Sequence, residues 1–522
     1  MKQIFTLSFL IIIYVAAFSQ AGTLDKSFNG SGKKVIGFLY SGGIGDDLCY
    51  AVAIQSDGKI VLTGKSNATQ NGDFNFLVTR LNADGSLDKS FNGKGYTFIN
   101  FSNDDEASAV AIQSDGKIVV AGTANASGSH RKIALVRLLT NGILDPSFGD
   151  NLSGKVITDV GADAKAAAMK LHNGKIIIAG DIINPGNECL LLRYNFNGSL
   201  DPSFGVFGKS ITDFGGEYPH SIAFQSDDKI VAGCSEDASW AYSHFLVARF
   251  TSNGFLDGSF AANGKTITDF GLNDFCNGIA VQSDDKIVAA GFTYLNDFDF
   301  ALARYNKNGT PDNTFSSNGK LITNINKIKH TDDFAYSVAI QSDEKIVVGG
   351  SSDYDFALVR YNKSGTLDNS FNGDGKAITD FGDFEEAYSI KIESNGKIVA
   401  AGAKNIFTGD RNFAIARYYG TNTASVNNIN ITANDTDEIN EIKSTSRIHI
   451  YPNPVTDILH IEGLSATSSA VISITSLSGI IFQKAIVKNS EYALNVSLLK
   501  PGIYNISIAQ NNTVTNLKFI KQ

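Results

Sequence analysis

An arginine recurs along the sequence in runs such as FALVRYN, and an aspartate follows it eight residues later in the motif LDxSF. Seven cations at equivalent places could form a ring that binds an anionic ligand. A partly buried guanidinium needs a carboxylate partner, however, so the spacing favours structural ion pairs. The pairs are Arg80 and Asp88, Arg137 and Asp145, Arg193 and Asp201, Arg249 and Asp257, Arg304 and Asp312, and Arg360 and Asp368.

The seventh arginine, Arg417, has no LDxSF motif after it. Asp25 holds the equivalent place at the other end of the repeats, in LDKSF. We therefore expect Asp25 to pair with Arg417 across almost the whole chain.

Other residue types that perform catalysis or bind metals show no matching pattern. The seven histidines share no repeat position and no HxxxH spacing, and the sequence has no GxSxG, phosphate-binding loop or cysteine pair with zinc spacing. Aspartate-rich pieces such as NGDGK at Asn372 fit turns better than a calcium loop. The sequence predicts no catalytic residue, no metal and no cofactor.

Acidic and aromatic residues concentrate in the connections that differ most between the repeats. Strand geometry would place these connections on one face, which could bind a protein or a glycan; solvated loops are the alternative. The candidates are Asp47, Asp105, Trp240, Asp333 and Glu386. Nucleic acid is not an expected partner, because the net charge is −9 and the pI is near 5.3.

These residues recur because the chain repeats one unit of about 56 residues seven times. Each unit offers four strand candidates, exemplified by YSVAIQ, KIVVGG, FALVRYN and GKAITDF. The first is rich in small residues, as expected around a narrow axis, and the next two are almost wholly apolar, as expected between neighbouring sheets. The pattern predicts an all-β, seven-bladed β-propeller in which LDxSF forms a single helical turn capped by its aspartate.

The two ends of the repeat region are complementary. It opens with LDKSF and GKKVIGF, the end of a unit, and closes with FAIARYYG, before any fourth strand. We predict that residues 33–38 pair beside residues 412–418. The N-terminal strand would then close the ring and remove both exposed edges.

These motifs resemble the delta-60 repeat, a propeller-forming motif of secreted and surface bacterial proteins. The resemblance rests on the LDxSF turn, GKxxTDF and the IQSDGKIVVAG hairpin, and it covers about residues 23 to 420. It implies the propeller fold and an exterior location, and it transfers no chemistry.

The first residues, MKQIFTLSFLIIIYVAAFSQ, are typical of a secretory signal, predicted as residues 1–19. The apolar run is too short for a spanning helix, and no later segment is long and apolar enough to span. Export would permit disulfides among the four cysteines. The only bridge that we consider is Cys234 with Cys276, and the alternative is that all four are buried, reduced thiols.

The end of the chain is a different kind of sequence. A polar linker is predicted at 421–446, and short alternating strands at 447–522 indicate a small β-sandwich. YPNPV at Tyr451, the L-x-I run at Leu459, GIY at Gly502 and the final lysines resemble the C-terminal sorting domain of the type IX secretion system. That resemblance implies contact with the secretion machinery and delivery to the medium or the outer-membrane surface. An adhesive module is the alternative.

The leading interpretation is an exported, non-enzymatic propeller that presents a binding face for an extracellular protein or glycan. The rival is a secreted hydrolase or lyase on the same fold, acting on polysaccharide. A cluster of two acids with a histidine or tyrosine at one mouth of the axis would favour the rival.

Overall fold

The computed structural model describes most of the chain, and these residues fall into two compact units, 1–428 and 429–522. The described ranges are 17–40, 43–69, 72–128, 130–149, 153–183, 188–215, 217–236, 243–326, 331–407, 410–421, 423–425, 448–464, 469–476, 481–497, 499–510 and 513–521. Trp240, most of the predicted signal and most of the predicted linker lie outside them.

The first unit consists of antiparallel strands, with one 3₁₀ turn at Phe91–Gly93 among its described residues. It begins with β1 (Ala17–Ser19), β2 (Lys33–Ile36), β3 (Leu39–Tyr40) and β4 (Gly43–Ile44). Sheets 1 to 6 follow, each built from four consecutive strands: β5 (Asp47–Ile54), β6 (Ile60–Ser66), β7 (Asn75–Leu81), β8 (Tyr96–Ile99); β9 (Glu106–Ile112), β10 (Ile118–Ala124), β11 (Lys132–Leu138), β12 (Lys155–Thr158); β13 (Ala164–His172), β14 (Lys175–Ile182), β15 (Glu188–Asn195), β16 (Lys209–Thr212); β17 (Glu217–Phe224), β18 (Ile230–Glu236), β19 (His244–Phe250), β20 (Lys265–Thr268); β21 (Asn273–Val281), β22 (Ile287–Tyr294), β23 (Phe298–Tyr305), β24 (Lys320–Thr323); β25 (Asp333–Ile340), β26 (Ile346–Ser352), β27 (Asp355–Tyr361), β28 (Lys376–Thr379).

Sheet 7 takes its strands from both ends of the repeat region. It contains β29 (Glu385–Ile392), β30 (Ile398–Lys404), β31 (Asn412–Tyr418) and, beside β31, the N-terminal strand β2. Lys33 lies opposite Ala416 and Ile36 opposite Phe413, which is the pairing predicted from the complementary ends. The short strand β32 (Thr423–Ser425) pairs with β1.

The first strand of each sheet lies beside the first strands of its neighbours, in chain order, and β29 also lies beside β5. The apolar second and third strands fill the spaces between sheets. One core cluster, for example, joins Val399 and Phe413 of sheet 7 to Ile60 and Leu62 of sheet 1. The architecture is a β-propeller of repeated four-stranded sheets.

The hairpin between the first two strands needs a left-handed residue before the lysine. Gly58 holds this position in sheet 1, with φ +81°. Asp228 and Glu344 stand at the same position in sheets 4 and 6 and adopt the same backbone region, with φ 64° and 66°. Asparagine and aspartate tolerate this backbone, and glutamate accepts it at a cost, which is why the repeat survives without glycine there. The LDxSF motif is a turn, helical only at Phe91–Gly93, in which Ser90 N–H donates to the Asp88 carboxylate at 3.0 Å.

The four cysteines are all described, buried and reduced, so the bridge considered between Cys234 and Cys276 is not formed. No helix among the described residues meets the length and apolarity that a membrane crossing requires.

The second unit contains two antiparallel sheets. One is β33 (His449–Tyr451), β34 (Ile458–Glu462) and β37 (Glu491–Asn495); the other is β36 (Ile481–Val487), β35 (Ala470–Ser476), β38 (Gly502–Gln510) and β39 (Thr513–Lys521). Both contribute to one buried cluster that includes Leu459, Ile472 and Phe519.

Candidate functional site

The recurring arginines and aspartates meet as ion pairs in the structure. Arg80 Nε lies 2.7 Å from Asp88 Oδ2, Arg360 Nε lies 2.8 Å from Asp368 Oδ2, and Arg417 Nε lies 2.7 Å from Asp25 Oδ2. The equivalent pairs in the other four sheets are Arg137 with Asp145, Arg193 with Asp201, Arg249 with Asp257 and Arg304 with Asp312.

Each aspartate also binds the lysine that follows the hairpin turn, a partner that the sequence analysis missed. Lys59 Nζ lies 3.3 Å from Asp88 Oδ2, and Lys397 Nζ lies 2.8 Å from Asp25 Oδ2. Burial of Asp88 opposes ionisation, but hydrogen bonds from Ser90 and the charges of Arg80 and Lys59 outweigh it and lower the pKa to about 2. The carboxylate is therefore held ionised between two cations.

The arginines also join neighbouring sheets. Arg137 Nη1 donates to the carbonyl of Phe196 in the next sheet at 2.7 Å, and its guanidinium lies 4.7 Å from the Phe148 ring centroid. Arg417 Nη1 makes the equivalent bond to Ala83 O of sheet 1, at 2.5 Å. These carboxylate and carbonyl partners make the arginines links between neighbouring sheets rather than a ring that binds one anion.

Three of the predicted binding residues are not on an exposed face, which corrects the sequence analysis. Asp47, Asp105 and Asp333 are 0% exposed. Each accepts a backbone N–H from the preceding connection: Asp47 Oδ2 from Phe38 at 2.8 Å, and Asp333 Oδ2 from Ile325 at 2.7 Å. Asp105 Oδ2 accepts the backbone N–H of the residue four positions earlier at 2.6 Å. A loop aspartate looks solvated in sequence, but here it replaces the acceptor that the irregular backbone lacks.

Burial perturbs these carboxyls. It raises the pKa of Asp47 and Asp333 to about 6, and that of the equivalent Glu385 to about 7. The pKa of Asp105 is also raised by burial. These groups fix the loops and do not offer a charged surface to a ligand.

A β-bulge near the start of each first strand brings a different set of side chains to the centre. In sheet 1 the register shifts between Cys49 and Ala51, which leaves Tyr50 outside the ladder. Gly64 lies opposite, where an added Cβ would come within 1.8 Å of Leu48 O. A glycine on the second strand thus makes room for the bulge. The residues at this position in sheets 1 to 7 are Tyr50, Ser108, Ala167, His220, Asn277, Tyr336 and Tyr388.

Three neighbouring sheets, 6, 7 and 1, place tyrosines at the bulge. The Tyr336 and Tyr388 ring centroids are 5.2 Å apart, and those of Tyr388 and Tyr50 are 5.6 Å apart. Phe334 continues the row at 6.4 Å from Tyr336. We name Phe334, Tyr336, Tyr388 and Tyr50 the aromatic arc; all four are half-buried.

Glu386, the fourth predicted binding residue, lies within the arc and is half-buried. Burial raises its pKa, while hydrogen bonds from the Tyr388 and Tyr336 hydroxyls oppose the rise. Burial, with the nearby Glu386 charge, raises the pKa of both tyrosines above the ordinary range, so both phenols stay neutral and donate to the carboxylate.

Ion pairs flank the arc on the sheet 1 side. Lys65 Nζ lies 2.7 Å from Glu106 Oε2 and 5.8 Å from the Tyr50 ring centroid. The Arg411 guanidinium binds the Asp46 carboxylate. Asp46 lies in the connection that leads into the first strand β5, and Arg411 lies in the connection between the second strand β30 and the third strand β31. This ion pair therefore joins the two kinds of connection that vary most between repeats.

Aromatic side chains also surface beside the arc's strand β29. Phe384, which directly precedes β29, is 42% exposed, and Phe407 is 64% exposed. Their ring centroids are 5.2 Å apart, and Tyr354 packs edge-on against both at 5.1 and 5.4 Å. We name these three residues the aromatic rim.

Two sets of side chains that could hold a metal occur among the described residues, and the two sets occupy equivalent positions in different sheets. His244, Asp269 and Asp274 form one set, and Asp355, Asp380 and Glu385 form the other, with the ligand atoms of each within 4.8 Å of one another. Glu385 already accepts two backbone N–H groups, from Phe381 and Asp383. Carboxyls that fix loops account for this set, and it carries no metal assignment.

The tyrosines were missed because the first strands were interpreted only as small-residue strands. Tyr50, Tyr336 and Tyr388 each stand four residues before the last residue of their strand. The residues at this position in sheets 1 to 7 are Tyr, Ser, Ala, His, Asn, Tyr and Tyr. A column of varied polar residues inside a uniform repeat is the signal that could have found them. Trp240 lies outside the described residues.

Two family models match the sequence. Residues 449–522 match the secretion system C-terminal sorting domain. The domain of unknown function (DUF5122) beta-propeller matches six segments: 55–91, 113–148, 172–204, 225–260, 282–315 and 341–371. No curated relative matches the chain.

Solved structures resemble the chain only at the level of fold. A protein of unknown function from Dyadobacter fermentans is 11% identical, with a TM-score of 0.38, over 74% of this chain and 99% of that one. Drosophila Semaphorin 2a is 10% identical, with a TM-score of 0.44, over 94% and 97%. The β-propeller domain of the Trilobed protease from Pyrococcus furiosus is 10% identical, with a TM-score of 0.39, over 73% and 100%.

Proposed function

Because the chain carries DUF5122 β-propeller repeats and a type IX secretion system sorting domain, which directs it to the cell surface or the medium, we propose that it is a non-enzymatic propeller that binds an extracellular glycan. The aromatic arc around Glu386 carries this proposal.

The proposed protein is organised as a signal at 1–19, a closed seven-bladed ring at 20–420, a linker at 421–446 and a β-sandwich sorting domain at 447–522. Two contacts support closure: β2 pairs with β31, and Arg417 bonds to both Asp25 and Ala83. The sorting domain contacts the secretion machinery and takes no part in binding the glycan.

The chemistry of the arc suits a sugar. Aromatic rings stack on the apolar C–H faces of pyranoses, and a carboxylate with phenol hydroxyls accepts and donates hydrogen bonds to sugar hydroxyls. The row Phe334, Tyr336, Tyr388 and Tyr50 spans three sheets, which matches an extended chain better than a single small molecule. The exposed Phe384 and Phe407 extend this apolar surface outward.

The second candidate is a polysaccharide hydrolase or lyase. A carboxyl with a raised pKa beside tyrosines favours it, because a general acid needs such a pKa. Hydrolysis, however, uses two carboxyl groups in different roles. Two carboxylates near Tyr50, Glu106 and Asp46, are held by Lys65 and Arg411. Binding without reaction is therefore the better-supported function.

An array of polysaccharides incubated with the purified protein separates the two functions. We expect retention of the protein on one class of glycan with no new reducing ends and no unsaturated products. Soluble products that disappear in Glu386→Gln would replace the proposal with the enzyme. Retention on no glycan, with binding to a surface protein instead, would assign the face to a protein partner.

A further inference from the structure

The hairpin end of sheet 3 differs from the other six because His172 stands where glutamine or glutamate stands elsewhere. The equivalent residues are Gln55, Gln113, Gln225, Gln282, Gln341 and Glu393. In five sheets the glutamine Oε1 accepts from Nη1 of the repeat arginine at 3.1 to 3.4 Å, and Glu393 Oε1 lies 3.4 Å from Arg417 Nη1.

His172 does not replace that acceptor. Its Nε2 lies 2.7 Å from Asp228 Oδ1 of the next sheet, and its ring stacks on Phe224 at 4.0 Å. Arg193 keeps its bonds to Asp201, Ser203 and the Ser252 carbonyl. Among the described residues, no side chain accepts the second N–H of Arg193 Nη1.

The missing glutamine also opens space. A cavity of about 260 Å³ lies here, lined by Arg193, Lys175, His172 and Asp228 among others. The Arg193 side chain is 14% exposed, against 2 to 5% for the equivalent arginines. Arg193 is therefore the most exposed of the seven repeat arginines.

The cavity offers two cations to an anion. Arg193 and Lys175 share one carboxylate, Asp201, with Lys175 Nζ 2.9 Å from Asp201 Oδ2, so this group of three carries a net charge of about +1. Asp228, the other carboxylate of the lining, offsets that charge and is paired with His172 Nε2. An N–H of a charged guanidinium without a protein acceptor gains most from an oxygen that carries negative charge.

We propose that this cavity is a binding site for a small oxyanion, a sulfate, phosphate or carboxylate group, held by Arg193 Nη1 with Lys175 beside it. The site is on the hairpin side of the propeller, away from the aromatic arc, and does not depend on the proposed glycan binding.

Calorimetric titration of the purified full chain with sulfate, phosphate or acetate, each against chloride at constant ionic strength, tests the site. We expect one saturable site for at least one of the three anions, and the anion that binds most tightly identifies the group. Heats equal to those of chloride for all three would overturn the proposal.

Three variants locate the site. His172→Gln restores the residue of five other sheets and should weaken binding about 10-fold or more, because the amide takes the N–H. Asp228→Asn should tighten binding several-fold, because it removes a negative charge from the cavity. Gln282→His should create a second site in sheet 5, because Glu344 of the next sheet holds the turn position that Asp228 holds beside His172. The number of anions bound per chain should then rise from one to two.

Unchanged affinity in His172→Gln, weaker binding in Asp228→Asn or an unchanged stoichiometry in Gln282→His would each contradict the assignment. Far-UV circular dichroism of the variants serves as the control for folding.

Discussion

Replacing Asp25 by alanine tests how the two ends of the repeat region are held together. Asp25 is 0% exposed and its carboxylate binds Arg417 Nε at 2.7 Å and Lys397 Nζ at 2.8 Å, with Ser27 Oγ donating at 2.7 Å. Removing one partner of a buried ion pair costs about 3–5 kcal/mol, because the other charge stays buried and uncompensated. Lys397 is 25% exposed and adds at most about 1 kcal/mol.

We therefore expect Asp25→Ala to lower the free energy of unfolding by about 3–5 kcal/mol in urea titrations at pH 7. The serine hydrogen bonds and the two cations outweigh burial and depress the Asp25 pKa well below its usual value of 3.8. A depressed pKa contributes stability that is present above the unfolded-state pKa and lost as pH falls below it. The difference between variant and native protein should thus narrow below about pH 4.

Asp368→Ala is the matched control, because Asp368 binds Arg360 and Lys345 in the same way within one continuous repeat. Both variants should lose similar stability, but only Asp25→Ala should speed amide exchange in β2 (Lys33–Ile36). A loss below about 1 kcal/mol in Asp25→Ala, or unchanged exchange in β2, would refute the reasoning.

Four further outcomes are expected. Deleting residues 20–40 should expose the edge of sheet 7 and cause aggregation, seen by light scattering, rather than mild destabilisation. Truncation after Gly420 should leave the ring's thermal transition nearly unchanged and, in a host with the type IX machinery, trap the protein in the periplasm; secretion at the full rate would favour an adhesive tail. Asp333→Asn should stabilise the protein at pH 7 by about 2–3 kcal/mol and flatten the pH dependence between pH 4 and 7, because a raised folded-state pKa makes ionisation of Asp333 destabilising as pH rises through 6. Chelator treatment should leave the melting temperature unchanged; a fall would point to the set around Asp274.

The parts of the fold that repeat locally could be predicted from sequence. Hairpins and buried strands follow from residue pattern, and the ion pairs follow from a fixed spacing of eight residues. The pairing of β2 with β31 was accessible because each end of the repeat region lacks what the other supplies.

The candidate site was less accessible because it depends on how the backbone departs from a regular ladder. Tyr388 reaches the centre only because its strand bulges opposite Gly402, where a Cβ would come within 1.8 Å of Glu386 O. Asp333 looked like a solvated loop residue because its partner is a backbone N–H eight residues earlier. Neither relation is visible without the paired strand or the folded connection.

We propose that the aromatic arc and the aromatic rim together bind a glycan without cleaving it. The most direct measurement is the affinity for the glycan retained on the array, compared between native protein, Phe384→Ala/Phe407→Ala and the control Phe255→Ala, whose side chain is 57% exposed outside the arc and the rim. We predict that the double variant weakens binding about 10-fold or more, that the control binds as the native protein does, and that the glycan is recovered intact. Equal affinity in all three proteins, or shortened glycan after native incubation, would contradict the account.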